Sequence, residues 1–189
     1  MSSHHIVRER QEPALLITDI YSIDIDLVGQ ILEWSPTIIT DIDSYEAVTS
    51  QNYKVDVIFT NKLIDLPQEH VKSVFFETNY VEAALRYLVQ EGYSAVNILG
   101  GGFDKTVLEQ FAKKIDIVWL RDDKRTIFVQ SGFQKWMPAG DELIIESTLN
   151  ELELEGVALI SENKYKTIKD GFFKIKFSNS KFCLLTEKI

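Results

Sequence analysis

In 189 residues the chain has one cysteine, two methionines, three histidines and four prolines, and its 20 lysines and arginines are outnumbered by 29 aspartates and glutamates. Each shortage excludes something. The single thiol, Cys183, cannot close an internal disulfide, and within KFCLLTE it reads as a buried structural residue rather than a nucleophile. His4 and His5 lie in the polar opening and only His70 lies in the body, too few for a histidine base or a histidine-rich metal centre. The net charge of -9 repels backbone phosphates wherever no basic patch intervenes, and none stands out in the sequence, so no nucleic-acid partner is expected. Apolar runs stay well short of the roughly 20 residues that cross a bilayer. The opening MSSHHIVRERQEP also lacks the apolar middle of a signal peptide, so no membrane association and a cytoplasmic location are expected.

What is present is 45% hydrophobic residues, enough for a sizeable core, in two distinct patterns. From Pro13, short runs rich in Ile and Val (ALLITD, TIITDI, VDVIFTN, KSVFFE, AVNILGG, IDIVWL) alternate with helical patterns such as YVEAALRYLVQEG and KTVLEQFAKK. Near-continuous apolar strands separated by helices predict a parallel sheet covered on both faces, Rossmann-like, with ligands bound beyond its carboxyl ends. After the charged stretch RDDKR the helical periodicity stops. RTIFVQ, DELIIEST, GVALISE, FFKIKF and KFCLLTE predict a small antiparallel β domain. The expected organisation is a polar leader over 1–12, an α/β domain over 13–122 and a β-rich domain over 123–189.

Two strand ends carry chemistry. In TIITDIDSYEAV an apolar strand delivers Asp41, Asp43 and Ser44 to the start of a helix, which suits a metal-binding phosphoryl-transfer site. It equally suits a helix cap by Asp43 or Ser44, because short oxygen-bearing side chains accept from the first free amides. In NILGGGFDKTVLEQF, Gly100, Gly101 and Gly102 close a strand while Lys105 and Thr106 open a helix, an arrangement able to cradle phosphate. It is not a Walker loop, which needs a longer gap between its glycines, and a purely structural turn is the other reading.

Taken together, these elements resemble the thiamine pyrophosphokinase family over nearly the whole chain after Pro13. That resemblance implies an α/β catalytic domain, a thiamine-binding β domain, a homodimer, and Mg2+-dependent transfer of pyrophosphate from ATP to thiamine. Asp41 matches the aspartate of the family's Asp-Gly-Gly turn. Asp56 keeps the aspartate that opens the next strand, but Asn61 and Leu63 stand where Gly-Asp-Phe-Asp-Ser has its two metal-holding aspartates. In ETNYVEAALRYL, Thr78 matches a threonine and Asn79 replaces an aspartate. GGGFDKT keeps two glycines and Asp104 of Gly-Gly-Arg-x-Asp-His. The resemblance therefore implies catalytic positions at Asp41, Asn61, Asn79 and Asp104, and metal ligands at Asp41 and Asp104. It implies nucleotide contacts at Thr78, Gly100, Gly101, Gly102, Lys105 and Thr106. Trp136, in GFQKWMPAGDE, is the aromatic able to stack on thiamine, with core or interface packing as the alternative.

The substitutions change the expected chemistry. Pyrophosphoryl transfer depends on charge neutralisation by carboxylate-held magnesium, and Asn61, Leu63 and Asn79 bring no negative charge. Activity is expected to be impaired unless Asp41, Asp43, Asp65 and Asp104 compensate. The alternative is a binding relative of the family that holds nucleotide, thiamine or thiamine diphosphate without turnover. LLITD and IITDID also suggest a receiver-like signalling domain, against which the β-rich tail counts.

Overall fold

The computed structural model describes residues 12–62, 70–77, 79–146, 152–178 and 182–189. The chain divides into two compact units, Met1–Asp122 and Asp123–Ile189. In the first, strands β1 (Ala14–Ile17), β2 (Ile38–Asp41), β3 (Val57–Thr60), β4 (Lys72–Phe75), β5 (Ala95–Leu99) and β6 (Asp116–Arg121) alternate with helices α1 (Ile25–Leu32), α2 (Ile42–Ser50), α3 (Tyr80–Gln90) and α4 (Lys105–Phe111). All six strands pair in parallel in the order β6-β5-β1-β2-β3-β4. Every residue of β1 and β3 is buried, as expected of central strands covered on both faces. The helix α3 buries Val81, Ala84, Leu85 and Leu88, an i, i+3, i+4, i+7 stripe, against the sheet. Leu15, Ile17, Val28, Ile38, Val48, Leu99 and Leu120 form another continuous part of the core. Asp56, ahead of β3, accepts from the Ile38 amide at 2.9 Å and so fixes the start of β2.

The second unit is all β among its described residues: β7 (Lys124–Val129), β8 (Phe133–Met137), β9 (Glu142–Glu146), β10 (Leu152–Glu155), β11 (Val157–Ser161), β12 (Lys164–Thr167), β13 (Gly171–Phe177) and β14 (Cys183–Lys188). β10, β13 and β8 make a three-stranded antiparallel sheet. The others pair antiparallel in the order β11-β12-β9-β14-β7. Val129, Leu143, Ile145, Phe173, Ile175, Cys183 and Leu185 fill the core. Cys183 is fully buried, its thiol approaches the Glu146 carbonyl at 3.4 Å, and burial pushes its pKa up to about 12, so it is a core residue and no nucleophile.

The described residues make a mixed α/β fold with four α-helices and a large sheet. The one small antiparallel sheet expected after RDDKR is corrected in part, because the strands of the second unit divide into two runs, β11-β12-β9-β14-β7 and β10-β13-β8. β8, β10 and β12 escape sequence reading. LELE and KYKT are half charged, and FQKWM interrupts its apolar residues with Gln134 and Lys135, so none is a continuous apolar run.

Candidate functional site

The carboxyl ends of the parallel strands carry the polar residues singled out above, and most of those residues serve the backbone. Asp41 ends β2 in an extended conformation and caps α2, its Oδ1 accepting from the Ser44 amide at 2.8 Å. The expected cap, Asp43 or Ser44, is thus corrected: helix α2 begins at Ile42, so both lie inside its first turn. Asp43 is exposed, and the Ser44 hydroxyl donates to the Thr18 carbonyl at 3.1 Å. Asn61 follows β3 in an exposed bend. Asn79 caps α3, accepting from the Glu82 amide at 2.9 Å.

Beside Asp41 lies a group that sequence reading missed. Tyr80 opens α3, and its hydroxyl reaches the carbonyls of Ile17 at 3.2 Å and Ile39 at 3.4 Å, tying the helix to the ends of β1 and β2. Burial, and secondarily the charge of Asp41, hold its pKa well above the ordinary tyrosine range. It stays protonated and acts as a donor, not a base. Its only sequence signal is its place directly after Asn79 at the helix head.

The β5–α4 turn is shaped by close packing. Gly100 has φ +114°, and a Cβ there would lie 2.1 Å from Thr18 Oγ1 and 2.7 Å from the Asp19 amide nitrogen, so only glycine fits. Its amide donates to the Leu120 carbonyl at 3.2 Å, and its carbonyl accepts from Trp119 Nε1 at 2.6 Å. At Gly101 a Cβ would come within 3.1 Å of Arg121, whereas Gly102, at φ +81°, faces open space. Asp104 caps α4, accepting from the Thr106 amide at 2.9 Å, a hydrogen bond that holds its carboxyl below the usual range. Lys105 extends its ammonium over the Trp119 ring, 5.9 Å from the centroid, and Phe103 packs on the same indole at 5.2 Å.

Asp41, Asn61, Asn79 and Gly100–Asp104 therefore share one end of one sheet. Asp41 ends β2 and Asp104 lies beyond the end of β5, two strands away with β1 between, so the two strand ends are roughly 10 Å apart. Among the described residues no three His, Cys, Asp or Glu side chains gather as ligands of one ion. Magnesium favours several anionic oxygens, and here Asp41 and Asp104 each give a carboxylate oxygen to a helix amide. Among the described residues this set does not fit a resident magnesium ion. Thr78, Leu63 and Asp65 lie outside the described residues. Trp136 belongs to the second unit, on β8, where it is 53% exposed beside its cross-strand partner Phe172. It is not a core residue.

Neither protein-family models nor the sequences of curated proteins give a match. Solved structures do. The thiamine pyrophosphokinase from Bacillus subtilis superposes with a TM-score of 0.65 at 11% identity, over 93% of this chain and 97% of that one. A probable thiamine pyrophosphokinase from Staphylococcus saprophyticus gives 0.66 at 10% identity over 93% and 98%. The yeast enzyme gives 0.61 at 11% identity over 98% and 88%. What this chain shares with thiamine pyrophosphokinases, along almost its whole length, is their fold.

Proposed function

We propose that the protein is a thiamine pyrophosphokinase-like binding protein in which transfer of pyrophosphate from ATP to thiamine is impaired. The observation that carries this reading is the deployment of Asp41, Asn79 and Asp104, each engaged as a helix cap, with Asn61 neutral beside them. Such a transfer asks for positioning and charge neutralisation more than for covalent chemistry, so a strand-end set without gathered acids loses its main source of rate. Binding needs less. Nucleotide phosphates would meet the backbone at Gly101 and Gly102 and the Lys105 ammonium, while Gly100 maintains the turn. The second unit would supply Trp136 as a stacking face for a thiamine ring. Its exposed Trp136 and Phe172, 53% and 62% accessible, also support a homodimer that covers them.

Calorimetry with ATP, thiamine and thiamine diphosphate, with and without magnesium, tests the reading alongside an AMP-release assay. Binding with little magnesium dependence and turnover far below about 10 per second is expected. Efficient magnesium-dependent turnover would overturn it. The triple change Asn61→Asp, Leu63→Asp, Asn79→Asp should raise magnesium affinity. Light scattering on the same samples should report a dimer, and a monomer at micromolar concentration would remove that part of the proposal.

A further inference from the structure

The second unit holds a cavity of about 410 Å3 lined by Asp123, Lys124, Glu142, Lys164, Thr186 and Lys188, together with Leu143, Ile144 and Glu187. Its volume falls in the usual range for small-ligand sites, about 300–1,000 Å3. The lysines arrive by strand register. Lys188 on β14 lies directly opposite Lys124 on β7. Lys164 on β12 pairs with Ile144 on β9, which in turn pairs with Thr186 on β14, placing Lys164 on the same face as that lysine pair. The hydroxyls of Thr126 and Thr186, both buried, are hydrogen-bonded to one another at 2.8 Å on this face.

The carboxylates of the lining do not fully counter its lysines. Glu187 is already countered twice, by ion pairs to Arg125 and Lys135. Glu142 pairs with Lys164 at 2.6 Å and stands opposite Lys166, and Asp123 lies 3.5 Å from Lys188. The lining holds three lysines (Lys124, Lys164 and Lys188) and three carboxylates (Asp123, Glu142 and Glu187). With Glu187 answered by Arg125 and Lys135 from outside the lining, the three lysines face two carboxylates, on a chain whose net charge is -9. Two like charges directly opposite on neighbouring strands are unfavourable by themselves. The Lys124–Lys188 pair carries that cost, and Asp123 relieves only one of the two.

We infer that this cavity is a binding site for a small multivalent anion, held chiefly by Lys124, Lys164 and Lys188. Charge-assisted contacts from lysines on three strands favour a ligand with several separated anionic groups over a single compact ion. Phosphates and carboxylates both have that chemistry. All lining residues of the cavity belong to the second unit.

Calorimetry at low salt with inorganic tripolyphosphate and, in parallel, citrate tests the inference and separates the two sources. Measured in the Lys105→Glu background, which removes the phosphate contact proposed for the first unit, one-site binding that weakens with salt is expected, lowered about tenfold or more by Lys124→Glu and by Lys188→Glu. Asp123→Asn, which removes a competing carboxylate, should strengthen it. Preference for tripolyphosphate would assign phosphate chemistry to the site, and equal or better binding of citrate would assign carboxylates. Absence of binding by both, or binding indifferent to Lys124→Glu and Lys188→Glu in variants with unchanged thermal melts, would overturn the inference.

Discussion

The two units use their carboxylates differently. In the first, Asp19, Asp24, Asp41 and Asp104 all accept from backbone amides at the starts of helical segments, and Asn79 does the same. In the second, Glu142, Glu155 and Glu187 pair with lysine or arginine on neighbouring strands. The cause is topological. Four of the six parallel strands, β1, β2, β4 and β5, feed a helix whose first amides lack partners, and the end of each recruits an oxygen-bearing side chain. Antiparallel strands have no such ends, but they set side chains opposite one another, where opposite charges pair. An aspartate at the end of a parallel strand is therefore poor evidence for a metal site by itself. The same residue type in the same place is what a helix start requires.

This contrast can be broken first at the turn where the parallel sheet is tightest. Gly100→Ala combines a left-handed backbone with overlap against Thr18 and the Asp19 backbone, which has no flexible end to give way. The expected loss is about 3–5 kcal/mol by chemical denaturation. Gly102→Ala, with positive φ but open space, should cost only about 1 kcal/mol. Equal losses would mean that close packing does not explain the glycines.

The next largest effect belongs to the second unit. Burial by itself would raise the pKa of Glu187, but hydrogen bonds from Lys135 and Arg125 outweigh it and hold the carboxyl below its ordinary value. A lowered folded-state pKa gives stability that is complete above the unfolded value, about 4.3, and is lost as pH falls through the folded value. Glu187→Gln should cost about 2–3 kcal/mol at pH 7, less than a fully buried pair because Arg125 and Lys135 keep solvent access. The difference between wild type and variant should shrink below about pH 4. A difference constant down to pH 3 would show that the carboxylate charge is not what stabilises the unit.

Much of this fold was legible because its central strands are almost wholly apolar. ALLI, IITD and VIFT have no other comfortable place than a sheet covered on both sides, and the stripe of Val81, Ala84, Leu85 and Leu88 marks α3 directly. FQKWM and KYKT hid because their strands expose alternate residues and depend on partners distant in sequence. At the strand ends the sequence offered Asp41, Asp43 and Ser44 together, and a shift of two or three residues in where the helix begins decides which of them caps. That register is set by where β2 ends against β1 and β3, information not contained in the local stretch. Tyr80 was missed for a related reason: its hydroxyl acts on carbonyls 41 and 63 residues away.

The smallest expected effect separates the two readings of Asp41 most cleanly. As a cap it supplies one acceptor to the Ser44 amide, and Asp41→Ala should cost about 1 kcal/mol. Asparagine caps about as well as aspartate, so Asp41→Asn should leave stability within about 0.5 kcal/mol of wild type. A metal ligand behaves otherwise, because asparagine keeps a carbonyl oxygen but loses the charge that a hard dication favours. Thermal melts of both variants, with and without millimolar magnesium, compare the roles directly. The cap reading expects Asp41→Ala to lower the melting temperature, Asp41→Asn to hold it, and magnesium to move none of the three proteins. If magnesium stabilises the wild type and fails to stabilise Asp41→Asn, the carboxylate binds metal while it caps. The strand ends of the first unit would then hold a working acid where the contrast with the second unit assigns only a helix start.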